Sequence, residues 1–321
     1  MLTACGREKT PSLAPATNTA EQTGAAAGEI GHIVIAPQFD EAAPFSEGLA
    51  AIRMGAKYGY IDKQGRIVIQ PQFDFAGGFS EGVAAAGIGN KNGYIDKQGN
   101  FVILPKFELA DLASFSEGLA AVRIGEFLTG TWGYIDKQGN IAVKPQLAAA
   151  GPFSAGLAVI SIGGKWGYIN KQGKTVIEPQ FSSAGSFSDG IAVARVGELL
   201  TGKDGYIDRA GKFVIQPKFD AAFPFSDGLA DVEVDGKYGY IDKQSKFVIP
   251  PQFDFADSFS DGLAAISVGR DGARKYGFID RTGKIVIKPQ FDFADIFSAS
   301  DGLAAIRVGD EKTGKYGYIG R

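Results

Sequence analysis

The side chains best suited to catalysis or metal binding are scarce in this chain: His32 and Cys5 are the only histidine and cysteine in 321 residues. A Ser-His-Asp arrangement would have to use His32. That residue precedes Ile33-Val34-Ile35, where equivalent positions hold Arg66, Asn100, Asn140, Lys174, Lys212, Lys246 and Lys284, so it reads as a polar turn exit. One Cys and one His allow no intrachain disulfide, no Cys/His zinc cage and no pair of histidine ligands. Carboxylates are plentiful. Asp62, Asp96, Asp136, Asp208, Asp242 and Asp280 recur at one position, but each opens a turn, and Asn170 and Gly320 interrupt the series. Turn chemistry explains them better than a ring of cation ligands, which needs several oxygens converging. Acids that break the recurring pattern, Asp111, Asp231 and Glu233, are the ones a two-carboxylate glycan hydrolase would use. No phosphate-binding loop precedes a helix, and the recurring Phe-Ser-acid-Gly serines have neither an elbow motif nor a histidine partner. The expectation is a protein without catalytic residues, cofactor or metal.

Binding chemistry has more candidates. Tyr58 and Tyr60 exemplify an aromatic pair two residues apart, hence on one strand face, suited either to core packing or to stacking on sugars and peptides. Two extended turns carry apolar residues, Glu126-Phe127-Leu128-Thr129-Gly130 and Glu198-Leu199-Leu200-Thr201-Gly202. Turns normally select polar residues and glycine. Phe127, Leu128, Leu199 and Leu200 are therefore candidate partner-binding residues; the alternative is that each tip packs on a neighbouring unit.

The elements that must position these residues follow from repetition. Gly-Tyr-Ile, once Gly-Phe-Ile, begins at Gly59, Gly93, Gly133, Gly167, Gly205, Gly239, Gly277 and Gly317. A Val-Ile-x-Pro-x-Phe motif, with variants, places prolines at 37, 71, 105, 145, 179, 217, 251 and 289. Phe-Ser-acid-Gly, with Ala155 and an insertion as departures, ends at Gly48, Gly82, Gly118, Gly156, Gly190, Gly228, Gly262 and Gly302. Gly-Tyr-Ile stands 12 residues before the next proline throughout, whereas the step from Phe-Ser-acid-Gly to Gly-Tyr-Ile is 11 or 15. Each unit predicts three short strands, for example 48–54, 58–62 and 66–69, rich in β-branched and aromatic residues. Asp-Lys-Gln-Gly joins the second to the third. Pro71 is expected to end the third strand. The four-residue insertion is expected to lengthen the first hairpin by two residues per side, leaving every side chain on its face.

The unit Lys165-Trp166-Gly167-Tyr168-Ile169-Asn170-Lys171-Gln172-Gly173-Lys174, followed by Val176-Ile177-Glu178-Pro179-Gln180-Phe181 and Phe187-Ser188-Asp189-Gly190, resembles the bacterial WG (KWG) repeat family. The namesake tryptophan survives as Trp132 and Trp166, is Tyr at 58, 238, 276 and 316, and is replaced by Asn92 and Asp204. The resemblance implies an all-β repeat protein, often exported, without an established common activity. Grouped as three-strand meanders, the chain starts with a lone third strand and ends with a lone first-and-second pair. That split is what a closed, propeller-like ring of eight units requires. The alternative is an open β-solenoid or superhelical array.

Residues 1–29 read as a terminal linker and residues 30–321 as the β domain. Leu2-Thr3-Ala4-Cys5 is similar to a bacterial lipobox, making Cys5 the expected lipidation site. No run of 18 apolar residues follows, so no transmembrane helix is expected. A net charge of −3, without a basic stripe, argues against nucleic acid. Together these features predict a non-catalytic binding or scaffold module of the bacterial cell envelope, lipid-anchored or exported, for an unknown protein, peptide or glycan. The alternatives are the glycan-acting hydrolase and a structural spacer.

Overall fold

In the computed structural model, which describes residues 30–108, 112–125, 129–198, 200–269 and 274–321, every unit forms its own antiparallel sheet. The first repeat shows the plan. Strand β1 (Ile33–Phe39) belongs to a sheet completed by the chain's last strands, and β2 (Glu41–Ala42), β3 (Leu49–Met54), β4 (Lys57–Asp62) and β5 (Ile67–Phe73) form the first whole blade in that order. Among the described residues, seven sheets have four strands and the third has three, Ala120–Ile124, Thr131–Ile135 and Ile141–Leu147. The expected three-strand meander is thus extended by a further strand from the connection around Phe-Ser-acid-Gly, two residues long in six blades and six residues long at Ala149–Ser154.

The third strand does not stop at its proline. β5 runs through Pro71 to Phe73, because the ladder breaks into a bulge there: Tyr60 faces Ile69, but Tyr58 faces Phe73. Pro71 lies in the unpaired stretch, where a missing N–H costs nothing. The bulged backbone lies directly over Gly59, where a Cβ would stand 2.5 Å from the Ile69 carbonyl oxygen and 2.7 Å from Pro71 N. The two recurring motifs are therefore one device: the glycine admits the backbone that the proline shapes. The four-residue insertions also differ from expectation. β3 and β4 close at Met54 and Lys57, and the inserted hairpin closes equivalently at Val268 and Lys275, so the extra residues enter the loop and leave the strands unchanged. Register is preserved, but the loop grows from two residues to six.

The core lies between sheets. Leu49, Ala51, Tyr60, Ile69 and Phe73 of blade one pack with Phe79, Ala84, Ala86 and Ile95 of blade two. Tyr60, fully buried, also donates its hydroxyl to the Gly77 carbonyl of blade two at 2.8 Å. Eight such clusters occur among the described residues, and the one joining Ile35, Phe39 and Tyr318 to Phe45, Ile52 and Ile61 seals blade eight to blade one. β1 pairs with Lys315–Gly320, beside Leu303–Val308 and Phe293–Ala294. The chain is therefore an eight-bladed β-propeller closed by its first strand, and the open array is excluded. Buried large apolar side chains at each seam contribute about 1.5–3 kcal/mol apiece, so closure needs no covalent link.

Candidate binding surface

The ring has two unlike faces. One carries the Phe-Ser-acid-Gly and Asp-Lys-Gln-Gly turns. The other carries the β3–β4 type hairpin loops, six residues long at 125–130, 197–202, 269–274 and 309–314. Glycines pinch the base of a long loop: a Cβ on Gly309 would meet Gly314 Cα at 2.8 Å. The loop tip is thereby held out from the sheet. Leu200, at such a tip, is 94% exposed and touches no core cluster, whereas Phe127, Leu128 and Leu199 lie outside the described residues. Of the four tip residues, the one the structure describes is thus a solvent-facing leucine.

The aromatic pairs divide between two roles. The second member, Tyr60 and its counterparts, is core; burial raises these phenols well above their ordinary pKa. The first member is partly exposed, and in blades six to eight it joins neighbouring phenylalanines in a continuous ladder. Phe223, Tyr238, Phe255, Tyr276, Phe293 and Tyr316 follow one another with centroids 5.8–6.2 Å apart. The Arg307 guanidinium lies 5.8 Å from the Tyr316 ring centre. Burial, then the nearby Glu233 carboxylate, raises the Tyr238 phenol. Where Phe255 and Phe293 stand in blades seven and eight, blades five and six have Ser183 and Ala221. The smaller side chains leave a cavity of about 380 Å³ between those blades, bordered by Ser183, Ala222, Phe223, Arg195 and Asp204. There Arg195 and Asp204 form a two-point ion pair, Nε–Oδ1 2.9 Å and Nη2–Oδ2 3.1 Å. Another cavity, about 560 Å³, lies beside the third hairpin and is bordered by Lys106, Phe107, Arg123 and Ile135.

The recurring acids are turn residues. Asp136 Oδ1 accepts from the Gln138 and Asn140 N–H groups at 3.0 and 2.8 Å, and these bonds, led by Asn140, hold its carboxyl below the ordinary range. Asn170 makes the same pair of bonds, which is why it can replace aspartate. The recurring serine does more than shape its turn: Ser46 Oγ donates across the seam to the Phe79 carbonyl at 2.6 Å, as Ser80 does to Phe115. His32 packs against Gly320, where a Cβ would stand 2.7 Å from its Cε1. Asp231 is 99% buried, accepts from Ser258 Oγ at 2.9 Å, and is pushed by burial to about 7. Burial also raises Asp257 and Asp295, the acids of the next two blades. Glu233 sits opposite Tyr238, and Asp111 lies outside the described residues. Sequence offered a signal for Asp257 and Asp295, which stand where Ala43, Gly77, Gly151 and Gly185 stand in other units, but none for Phe255 and Phe293, whose position also holds Phe75. Among the described residues, no group of three or more His, Cys, Asp or Glu is placed to hold a metal ion, and no helix is long and apolar enough to cross a membrane.

The WG containing repeat matches eight segments, residues 29–58, 58–91, 93–126, 132–166, 166–199, 205–238, 238–270 and 276–319. No curated protein matches the chain. Among solved structures, Kluyveromyces lactis Hsv2p is 11% identical, with a TM-score of 0.46, over 75% of this chain and 95% of its own. A variant, KlHsv2 with loop 6CD replaced by a Gly-Ser linker, is 8% identical, with a TM-score of 0.49, over 89% and 98%. The tricorn protease is 12% identical, with a TM-score of 0.36, over 83% of this chain and 37% of that one.

Proposed function

The chain belongs to the WG-repeat family, and from that premise we propose that it is a non-catalytic binding module whose contact surface is the hairpin face. The observation that carries this reading is Leu200, a large apolar side chain held 94% exposed at a six-residue loop tip. A residue so placed adds nothing to the core, and insertions in repeat proteins tend to lie on the binding face. Changing Phe127, Leu128, Leu199 and Leu200 to Ser should leave the melting temperature within about 2 °C and abolish capture of a partner from envelope extract by the immobilised ring. A fall of many degrees would assign the tips to packing instead.

We place the module in the bacterial cell envelope, held by a lipid on Cys5, with residues 6–29 as spacer. The Leu-Thr-Ala-Cys sequence and the polar stretch after it support this reading. Produced with its native upstream region, the protein should fractionate with membranes, and Cys5→Ser should move it to the soluble fraction with an unchanged β-sheet circular dichroism spectrum. Equal membrane partitioning of the two proteins would remove the anchor.

A further inference from the structure

On the face opposite the long hairpins, the acid of each Phe-Ser-acid-Gly turn reaches across its seam. Glu47 accepts from the amides of Glu81 and Gly82, and Lys97 of blade two lies 3.2 Å from its Oε2 while donating to the Glu47 carbonyl oxygen at 2.9 Å. Glu81 receives Gly118 N–H and Lys137, and Glu117 receives Gly156 N–H and Lys171, in the same arrangement. Further round, Lys243 meets Asp189, Arg321 meets Asp261, and Lys63 meets Asp301 at the closing seam. At the remaining acid-bearing seam, Asp227 accepts from Gly262 N–H at 2.8 Å.

The seam between blades four and five keeps the donors but lacks the acid, because position 155 is alanine. Its backbone is unchanged: φ is 52° at Ala155, as at Glu47, a left-handed conformation that alanine rarely adopts. The matching amides are those of Asp189 and Gly190, and the matching cation is Arg209. Its Nη2 lies 4.0 Å from where a Cβ on Gly156 would be, as Arg321 Nη2 lies 3.7 Å from that point on Gly262. Arg209 is exposed and forms no ion pair among the described residues. The Asp189 carboxylate is directed to the next seam by Lys243, just as the Glu81 carboxylate beside the filled Glu47 clamp is directed to Lys137.

We propose that this seam binds a carboxylate from outside the chain, an Asp or Glu side chain of a protein partner, which takes the place that Glu47, Glu81 and Glu117 fill in their own seams. The frame is already set for that group: two adjacent amides and one cation converge on a planar two-oxygen acceptor. The site lies on the opposite face from the hairpin tips and does not rest on their role. One exposed ion pair with backbone donors gives weak affinity alone, so the seam acts as a specificity contact within a larger interface.

The test is a titration of the isotopically labelled full chain with N-acetyl-glutamate amide, following backbone amide resonances. Saturable shifts are expected at Asp189 and Gly190 with a millimolar dissociation constant, and none at Gly82 or Gly118, whose clamps are filled. Ala155→Glu should abolish the response by supplying the carboxylate in cis, and Arg209→Gln should weaken binding at least several-fold. Unmoved Asp189 and Gly190 amides in the wild type, an undiminished response in Ala155→Glu, or tighter binding of inorganic phosphate than of the carboxylate would each overturn the assignment.

Discussion

Asp231 occupies a repeat position that is alanine or valine in every other unit, and it is buried with a single hydroxyl donor, Ser258 Oγ. An acid whose carboxyl rises from 3.8 to about 7 on folding keeps its proton in the native state while the unfolded chain has already lost it. The native state then binds more protons between those values, so stability falls as pH rises from about 4 to 7 and levels off above. The full displacement corresponds to several kcal/mol. Asp231→Asn keeps the shape and the acceptor for Ser258 without a charge to bury. Urea unfolding of this variant should match wild type near pH 4, exceed it by several kcal/mol at pH 8, and lose most of the slope between. A catalytic part for Asp231 in glycan cleavage would need it to touch substrate, and its burial beneath Ser258 speaks against that.

At the scale of the element, the glycine–proline device makes the strongest demand. Gly59→Ala would place a methyl against the Ile69 carbonyl oxygen and Pro71 N, both backbone atoms that cannot swing away. The bulge would have to lift, at a cost of roughly 3 kcal/mol or more. Thermal unfolding should show a drop of several degrees for this single change, and Gly55→Ala, in an open loop, should cost less. Three strands per unit were legible because alternation, turn residues and fixed spacing agree. The strand continuing past Pro71 was not, since a proline's missing donor forbids pairing only where pairing would occur, and the bulge removes that condition. The loop insertions were misread for a related reason: parity allows longer strands but does not require them, and the paired glycines that pinch the loop carry no period. Leu200 was legible as an apolar turn residue. The aromatic ladder was not, because its rings come from successive blades and meet only once those blades pack side by side.

For the whole molecule, closure by β1 is the decisive feature. Ile35 and Phe39 are buried in the last seam, and the Lys315 ammonium pairs with Asp40. Removing residues 1–39 takes both apolar side chains from the core and bares the edge of Lys315–Gly320. The shortened protein should lose several kcal/mol in denaturant unfolding and elute as dimers or larger species, since an unpaired strand edge recruits another chain. Restoration by added β1 peptide would show that the edge itself causes the association.

β1 begins where blade eight would otherwise have its Asp-Lys-Gln-Gly turn, and Gly31 N–H bonds the Gly320 carbonyl at 2.7 Å. Both ends of the described ring therefore meet on the face of the clamps. With the lipid anchor proposed on Cys5 the ring gains a heading: the Ala155–Arg209 seam lies on the face where the described chain starts, and the long hairpins lie on the opposite one. A partner reaching the hairpins can be large and free in solution. One reaching the seam meets the ring on the face where its two ends join, so the two sites sort their partners by position as well as by chemistry.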